Sequence, residues 1–307
     1  MESVNKTTVN EFILLAFSSF QQFQILIFIT ILLMYIISVS GNLAIIVLVK
    51  STSTLHTPMY FFISVFAGLE ISFMSVTVPK LLANLIMASR KITFTGCFVQ
   101  MYIFNSLGVT ECYLLSVMAV DRDLAINNPL RYNAIMSNAF CIELCVLSWI
   151  VSFMIVSVPT IVTIYAKFCG PNEIDHFVCD LAVVQNLSCS DPFISNVTTR
   201  IAAVFVSLIP FIIIVCCYVH IIISILKIKD KAGKNKAFST CSSHLIAAGL
   251  FYVSVIIVYI NPSGSRYDKF LALMYTVIIP MLNPFIYSLR NKDVKRVIRK
   301  SITCKVN

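Results

Sequence analysis

Several uncharged stretches of this chain are longer than the ~20 residues that an α-helix needs to cross a lipid bilayer. Backbone N–H and C=O groups find no water in lipid, so these stretches must form helices that satisfy their own hydrogen bonds. Only 12% of the 307 residues are charged, against about 25% in soluble domains. We therefore predict an all-α membrane protein, a bundle of seven transmembrane helices over residues 24–49, 58–85, 98–120, 140–164, 201–226, 238–260 and 270–289.

The positive charges are distributed unevenly between the connections. Most of the 23 lysines and arginines lie in the inner connections if the N-terminus is outside, above all in residues 227–236 and 290–305. Positive residues favour the inner face, so we predict an outer N-terminus and an inner C-terminus. The net charge of +9 then reflects membrane topology, and no nucleic-acid partner is expected.

One receptor-sized domain, residues 1–307, accounts for this pattern. Residues 1–23 would form the outer N-terminus, with a glycosylation sequon at Asn5, and residues 24–289 the bundle. The first span has no basic start or small-residue cleavage site ahead of it, so we interpret it as an uncleaved anchor. The tail, 290–307, alternates basic and apolar residues over 292–300, which predicts a short amphipathic helix on the inner leaflet. The alternative is a disordered basic tail.

Four of the 11 cysteines fall on the predicted outer side, namely Cys97, Cys169, Cys179 and Cys189. An even number of cysteines in an oxidising compartment indicates disulfides rather than free thiols. Four cysteines allow three pairings. We favour Cys97–Cys179, which would tie the long outer loop over the bundle, and Cys169–Cys189, which would close that loop on itself.

Four motifs occur in order along the chain. They are LHTPMYFF at 55–62, MAVDRDLAINNPLRY at 118–132, KAFSTCSSHL at 236–245 and PMLNPFIYSLRN at 280–291. Together they resemble the vertebrate olfactory receptors, a family of rhodopsin-like G-protein-coupled receptors, almost from end to end. The chain departs from the family pattern at Val120 and Asp123, where the family usually has Tyr, and at Asn127, where it has Cys.

The resemblance implies a set of switch residues near the inner face. Arg122 would be held by Asp121 in the inactive state and released toward the G protein, and Asp123 adds a second acid beside it. Tyr287 would swing toward Tyr218 on activation, with Asn283 and Pro284 permitting a kink in span seven. The alternatives are an Arg122 that only anchors its helix at the interface and a proline with no special role.

Two carboxylates, Glu70 and Glu111, lie in mid-span, where an ionised acid is costly unless it faces the bundle interior. The resemblance aligns them with positions that face one another near Asn42 and Asn283. We predict a site for Na⁺ or a proton that stabilises the inactive state. A neutral hydrogen-bonded pair used only for packing is the alternative, and no other cofactor or metal is expected.

The resemblance also implies a ligand pocket in the outer half of the bundle. Its mostly apolar lining suits a small, weakly polar volatile better than an amine or a peptide. The predicted lining residues are Phe104, Asn105, Gly108, Val109, Cys112, Ala202, Ala203, Val206, Tyr252, Val255, Ile256, Tyr259, Tyr275 and Thr276.

The function that follows from the resemblance is an odorant receptor in the plasma membrane. Its partners would be a volatile ligand, the lipid bilayer and a stimulatory, olfactory-type heterotrimeric G protein that raises cyclic AMP. One alternative is a rhodopsin-like receptor for a non-odorant ligand. A transporter would predict internal repeats or several charged midplane residues, and an intramembrane enzyme a catalytic motif. The sequence has neither the repeats nor such a motif, and no enzymatic activity is expected.

Overall fold

The protein is a bundle of helical spans that run side by side. The computed structural model describes residues 9–87, 90–169, 171–260, 268–290 and 294–295, with side chains except at 19, 231–233, 235–237, 239–240, 255–260, 268 and 288–290. Six helices in these ranges are long and apolar enough to cross a membrane, and the remaining span contributes the apolar segment Cys241–Ser254. Spans one to four are α1 (Gln24–Ser51), α2 (Pro58–Ile86), α3 (Phe94–Asn127) and α5 (Asn138–Ile164).

Spans five and seven are each interrupted by a π turn. Span five consists of α7 (Pro192–Ala203), the π turn Val204–Leu208 and α8 (Ile209–Lys227). Span seven consists of α10 (Asp268–Leu273), the π turn Met274–Ile278 and α11 (Ile279–Arg290). Span six is α9 (Lys231–Ile260). Single π turns inside longer helices are frequent at functional sites, and these two turns contain Val206 and Tyr275.

Spans three, five and six begin at least four residues earlier than predicted, and polar residues cap the first two beyond the apolar core. The hydroxyl of Thr93 accepts from Gly96 N at the start of α3, 3.1 Å away. Asp191 accepts from Phe193 N at the start of α7, with Pro192 in the first helical turn. Span five therefore begins at Pro192 rather than at 201, and the preceding loop is shorter than predicted. Span six likewise begins at Lys231 rather than at 238.

Span three lies at the centre of the bundle. It has more buried residues than the other described spans, and it packs against spans two, four and five. Span one is peripheral, with large apolar side chains such as Ile25 and Leu26 facing outward, where lipid would cover them. Its Gly41 allows a close approach to span seven, because a Cβ at that position would be only 3.1 Å from the Cβ of Pro284.

One end of the bundle, which we call the disulfide end, is closed by a loop and a small sheet. Strands β1 (Glu11–Leu14), β2 (Lys91–Thr93) and β3 (Glu173–Ile174) pair in the order β2-β1-β3. β1 is antiparallel to β2 and parallel to β3. Both predicted disulfides, Cys97–Cys179 and Cys169–Cys189, are present. The loop between spans four and five also contains a short helix, α6 (Leu181–Gln185).

The opposite end, which we call the Arg122 end, contains α4 (Pro129–Ile135) between spans three and four. The predicted amphipathic helix at 292–300 falls mostly outside the described residues; of the two that are described, Val294 is buried against the bundle. Asn5, the predicted glycosylation site, also lies outside the described residues.

Candidate functional site

A cavity of about 620 Å³ opens at the disulfide end, between spans two to seven and the long loop. Its volume lies within the range of small-molecule sites. The lining residues are Phe73, Phe104, Asn105, Gly108, Val109, Cys112, Val162, Tyr165, Ala166, His176, Asp180, Ala182, Val183, Gln185, Asn186, Ser188, Ser190, Asp191, Pro192, Ile194, Ser195, Asn196, Thr199, Val206, Phe251, Ala272 and Tyr275.

The deep wall of this cavity is aromatic. The rings of Phe73 and Phe104 stack with their centroids 4.8 Å apart, and Tyr275 lies 6.2 Å from Phe104. Stacked rings of this kind form a rigid apolar surface. The amide of Asn105 is the polar group on span three, and its Nδ2 donates to the Met101 carbonyl of its own helix at 2.8 Å. This part of the site suits an apolar ligand.

At the Arg122 end, a buried polar triad joins span three to α4. Arg122 Nε donates to Asp121 Oδ2 at 2.8 Å, and a guanidinium nitrogen makes a second bond to the same oxygen. The hydroxyl of Tyr132 donates to Asp121 Oδ1 at 2.6 Å and accepts from Arg122 at 3.3 Å. Asp121 and Arg122 are buried, and a buried charge is stable only when it is paired. The triad therefore holds Arg122 inside the bundle.

Asp123 does not contribute to that triad in the way its position beside Arg122 suggests. Its Oδ1 lies 2.9 Å from His220 Nδ1 of span five and 2.6 Å from Asn127 Nδ2. Asn127 Nδ2 is in turn 3.1 Å from the same His220 nitrogen. Two of the chain's departures from the family pattern, at 123 and 127, thus form one cluster that links spans three and five.

A second link joins spans five and six. The Tyr218 hydroxyl is 2.6 Å from His244 Nδ1, and the two rings are stacked with centroids 5.8 Å apart. Tyr287 of span seven is buried, and its hydroxyl has no hydrogen-bond partner among the described residues. Tyr287, His244 and Arg122 line one small gap of about 20 Å³. The predicted switch residues of spans three and seven therefore meet at this end, next to His244.

Mid-bundle, the acidic site ties span two to span seven. Glu70 Oε1 accepts from Asn283 Nδ2, and Glu111 is also buried, on span three, which packs against span two. Glu70 Oε2 and Asn283 Oδ1 have no protein partner in the described part of the chain. Asn42 instead donates to Ser38 O at 3.1 Å and to Pro280 O at 3.4 Å. Within the described ranges, no cluster of three or more His, Cys, Asp or Glu side chains is arranged to hold a metal ion.

Comparison with known proteins decides the family. The family model described as "Olfactory receptor" matches residues 31–305. The chain belongs to the olfactory receptor family. It is 42% identical to human Olfactory receptor 6N1, with 98% of each chain covered. It is 44% identical to mouse Olfactory receptor 6E1, with 97% of each chain covered.

The fold agrees with this family. Squid rhodopsin, known from a crystal structure, superposes with a TM-score of 0.76 at 18% identity, over 94% of this chain and 87% of that one. At this identity the likeness shows the fold alone, a rhodopsin-like bundle. Membership of the olfactory receptor family makes the chain a multi-pass plasma-membrane receptor that signals rather than an enzyme, and the family implies a small-molecule ligand and a G-protein partner.

Half of the pocket residues predicted for this olfactory receptor line the cavity. These are Phe104, Asn105, Gly108, Val109, Cys112, Val206 and Tyr275. Tyr252 and Thr276 are buried outside it; Tyr252 packs against Phe211 with centroids 5.3 Å apart. Ala202 and Ala203 are half-buried between the lining residues Thr199 and Val206. The side chains of Val255, Ile256 and Tyr259 lie outside the described residues.

Sequence reasoning missed the contribution of the loop and of span four. Helical periodicity places residues on a stripe, but it carries no signal for a loop that folds back over the bundle. Gln185 was missed for this reason, and Thr199 was missed because span five begins at Pro192 rather than at 201. Phe251 rather than its neighbour Tyr252 lines the cavity, because neighbouring residues of a helix point in directions about 100° apart and periodicity alone does not decide which side of span six faces the cavity.

The loop also places a histidine at the cavity. His176 is buried, stacks on Phe177 with ring centroids 4.6 Å apart, and accepts from Val178 N at 3.2 Å. Burial lowers the pKa of His176 below its usual value. Next to it, Lys269 Nζ lies 2.5 Å from Asp175 Oδ1 and 3.3 Å from the Ala16 carbonyl. This ion pair ties span seven to the loop and to the N-terminal segment.

Proposed function

We propose that this olfactory receptor binds a small, weakly polar volatile molecule and activates a stimulatory, olfactory-type G protein that raises cyclic AMP. The observation that carries the proposal is the presence of both parts on one helix. Span three lines the cavity from Phe104 to Cys112 and supplies the Asp121–Arg122 pair ten residues further on, about 15 Å along the axis. The disulfide end would face outside and the Arg122 end the cytosol.

The ligand would act by binding the active arrangement better than the inactive one. The triad of Asp121, Arg122 and Tyr132 stabilises an arrangement in which Arg122 is withdrawn from the G protein. Shifting such an equilibrium from mostly inactive to mostly active takes about 5.5 kcal/mol of differential affinity. A small volatile supplies only part of this, so partial activation and potencies near the micromolar range are expected.

The proposed inactive state also includes the mid-bundle acids. We propose that Glu70, Glu111 and Asn283 hold either Na⁺ or a proton there. The donor set fits a hard cation, because Glu70 Oε2 and Asn283 Oδ1 are buried oxygens without a protein partner among the described residues. If Na⁺ binds, added Na⁺ should decrease basal signalling in wild type and not in Glu111→Gln. If a proton is held instead, basal signalling in wild type should be the same at all Na⁺ concentrations.

The proposed G-protein surface is the Arg122 end, including the loop at 127–138 and the basic segment 227–236. Lysines there would also attract anionic lipid. Glycosylation at Asn5 is part of the same proposed topology, and removal of the sequon by Asn5→Gln should abolish a glycosidase-sensitive mobility shift on gels.

The test is a cyclic-AMP reporter assay in cells with a panel of volatiles. Surface expression is measured first for wild type, for Arg122→Gln and for Arg200→Gln, a matched change at an exposed arginine near the disulfide end. We expect wild type and Arg200→Gln to respond to the same volatiles and Arg122→Gln to lose the response. A response that survives Arg122→Gln at equal surface expression would contradict the proposed coupling.

A further inference from the structure

The cavity has two chemically distinct parts. The inner chamber is apolar and is formed by residues of spans two, three, six and seven: Phe73, Phe104, Val109, Cys112, Phe251 and Tyr275. The outer chamber is formed by the long loop and the first two turns of α7 and carries most of the polar groups, namely Gln185, Asn186, Ser188, Ser195, Asn196 and Thr199, beside apolar side chains such as Val183, Pro192 and Ile194. An apolar volatile cannot form hydrogen bonds with these six hydroxyl and amide groups. The outer chamber is therefore suited to a polar group of the ligand.

The two chambers together are long. Ser195 and Val206 both line the cavity and lie eleven residues apart on span five, which corresponds to roughly 16 Å along a helix. On span three the lining runs only from Phe104 to Cys112, about 12 Å. A compact volatile therefore fills the inner chamber and leaves the outer one to water, whereas an elongated molecule occupies both.

Hydrogen bonds hold the polar groups of the outer chamber in place. Gln185 Nε2 is 3.0 Å from Thr163 Oγ1 and 3.0 Å from Thr199 Oγ1, and Thr163 in turn donates to the Pro159 carbonyl at 2.7 Å. The side chain of Gln185 thus bridges the ends of spans four and five. The Thr199 hydroxyl itself donates to Gln185 Oε1 at 3.3 Å, so its remaining lone pair has a defined direction in which to accept, and such preorganisation favours affinity.

The charges of the lining decide between possible head groups. Asp180 and Asp191 line the cavity, and each caps a helix by accepting from a backbone N–H, at 3.0 Å and 2.9 Å. The described lining residues include no lysine or arginine. A carboxylate would therefore be repelled. Each aspartate is partly offset by the helix N-terminus that it caps, and an uncharged donor–acceptor group matches the six hydroxyl and amide groups of the outer chamber.

We propose that the outer chamber is a subsite for the uncharged hydrogen-bonding head of an elongated amphiphile whose apolar body fills the inner chamber. A long-chain primary alcohol is the simplest such molecule. Its hydroxyl contacts the Thr199–Gln185 pair, and its chain lies against Phe104 and Tyr275. The signalling consequence rests on the proposed odorant-receptor function, but binding does not.

Binding is tested directly by thiol protection. Purified receptor with the change Ser195→Cys is labelled by a small thiol reagent with butanol, decanol or decanoate present, and each labelled peptide is measured by mass spectrometry. Native Cys112 reports on the inner chamber, and exposed Cys216 controls for effects of the alcohols on the membrane. We expect butanol to protect Cys112 only, decanol to protect Cys112 and the thiol at 195, and neither to protect Cys216.

The subsite is refuted by three outcomes: equal protection of the thiol at 195 by butanol and decanol, stronger protection by decanoate than by decanol, or no reaction of either cavity thiol without alcohol. The last result would contradict an open two-chamber cavity.

Signalling provides a second arm with a matched pair of variants. Thr199→Val removes the hydroxyl that faces the outer chamber, whereas Thr198→Val removes one that donates to Ile194 O of its own helix at 2.9 Å. Loss of one hydrogen bond should weaken the cyclic-AMP potency of decanol about five- to tenfold in Thr199→Val, with butanol unchanged and Thr198→Val like wild type. Equal potency of decanol in the two variants would overturn the subsite.

The two arms separate this inference from the proposed function. Thiol protection as expected, with no cyclic-AMP response to any panel compound, would retain the subsite and refute the odorant signalling. A robust response to volatiles without chain-length-dependent protection at 195 would retain the odorant signalling and refute the subsite.

Discussion

The two ends of the bundle differ in how they are held together. The disulfide end contains a cavity of about 620 Å³ and a helix, α7, with no buried residue, yet two disulfides and a three-stranded sheet frame it. Two gaps among the described residues of the Arg122 end measure about 20 and 10 Å³, and this end is held by non-covalent polar contacts such as Asp121–Arg122–Tyr132.

This difference matches what each end has to do. A cavity has fewer packing contacts around it, so a ligand site needs another source of rigidity. At the disulfide end, covalent bridges provide that rigidity. A signalling surface must change its arrangement, and hydrogen bonds of about 1–3 kcal/mol each can be exchanged for others. The following predictions test whether covalent bonds hold one end and exchangeable polar contacts the other, from the largest expected effect to the smallest.

Loss of the Cys97–Cys179 bridge should have the largest effect. The bridge closes a loop of 82 residues, and removing a native disulfide of this kind costs about 2–5 kcal/mol. We expect Cys97→Ser to abolish most surface expression, measured by flow cytometry. Cys169→Ser, which opens a loop of 20 residues, should cost less, and Cys216→Ser, at an exposed thiol, nothing measurable. Equal expression of Cys97→Ser and wild type would refute the covalent-frame interpretation.

Removing the Tyr132 hydroxyl should act on signalling rather than on folding. Tyr132→Phe deletes the donor to Asp121 and the acceptor for Arg122. A hydrogen bond to a charged group is worth about 1.5 kcal/mol or more, which corresponds to about tenfold in an equilibrium constant. We expect basal cyclic AMP to rise severalfold at unchanged surface expression. The control is Tyr35→Phe, which removes a hydroxyl 2.9 Å from Ser75. Unchanged or lower basal signalling in Tyr132→Phe would show that the triad does not restrain Arg122.

Acid should destabilise the disulfide end through His176. Burial lowers the pKa of His176 below 6.5, outweighing Asp180 and Asp175, which raise it; Lys269 lowers it further. The unfolded chain therefore binds a proton that the folded loop does not. The contribution of neutral His176 to the free energy of unfolding is complete above about pH 6.5 and decreases as the pH falls.

The measurement is the melting temperature of purified receptor between about pH 7.5 and pH 5.5, near the ordinary pKa of histidine. We expect a decrease in wild type that is smaller in His176→Gln, while His56→Gln, at an exposed histidine near the Arg122 end, follows wild type. Identical pH profiles for wild type and His176→Gln would rule out this source of acid sensitivity.

The Asp123–His220 contact should have the smallest effect. His220 is 57% exposed at the surface of the bundle and Asp123 19%, and a polar contact between transmembrane helices is worth about 0.6 kcal/mol on average. A double-mutant cycle of Asp123→Asn and His220→Gln should therefore give a coupling in basal cyclic AMP of less than about fivefold. A coupling larger than the effect of Tyr132→Phe would mean that the link between spans three and five, and not the triad, holds the Arg122 end.

The sequence by itself determined the architecture and the chemistry available at each end. Uncharged runs of bilayer length determined the spans, because lipid leaves the backbone no alternative to helices. The motifs at 118–132 and 280–291 indicated the family that the comparisons confirm. The four cysteines of the disulfide end and the deep pocket residues of span three also followed from the sequence, since helical periodicity puts Phe104, Gly108 and Cys112 on one side.

Only the tertiary structure decided the contacts between residues that are far apart in the chain. Gln185 reaches Thr163 and Thr199, Tyr132 reaches Asp121, and Asp123 reaches His220 rather than Arg122. Each of these contacts depends on the rotation of a helix or the path of a loop. Periodicity predicts which residues share a face, but it does not predict the π turn at Val204–Leu208 or the path of the loop that two disulfides hold over the cavity.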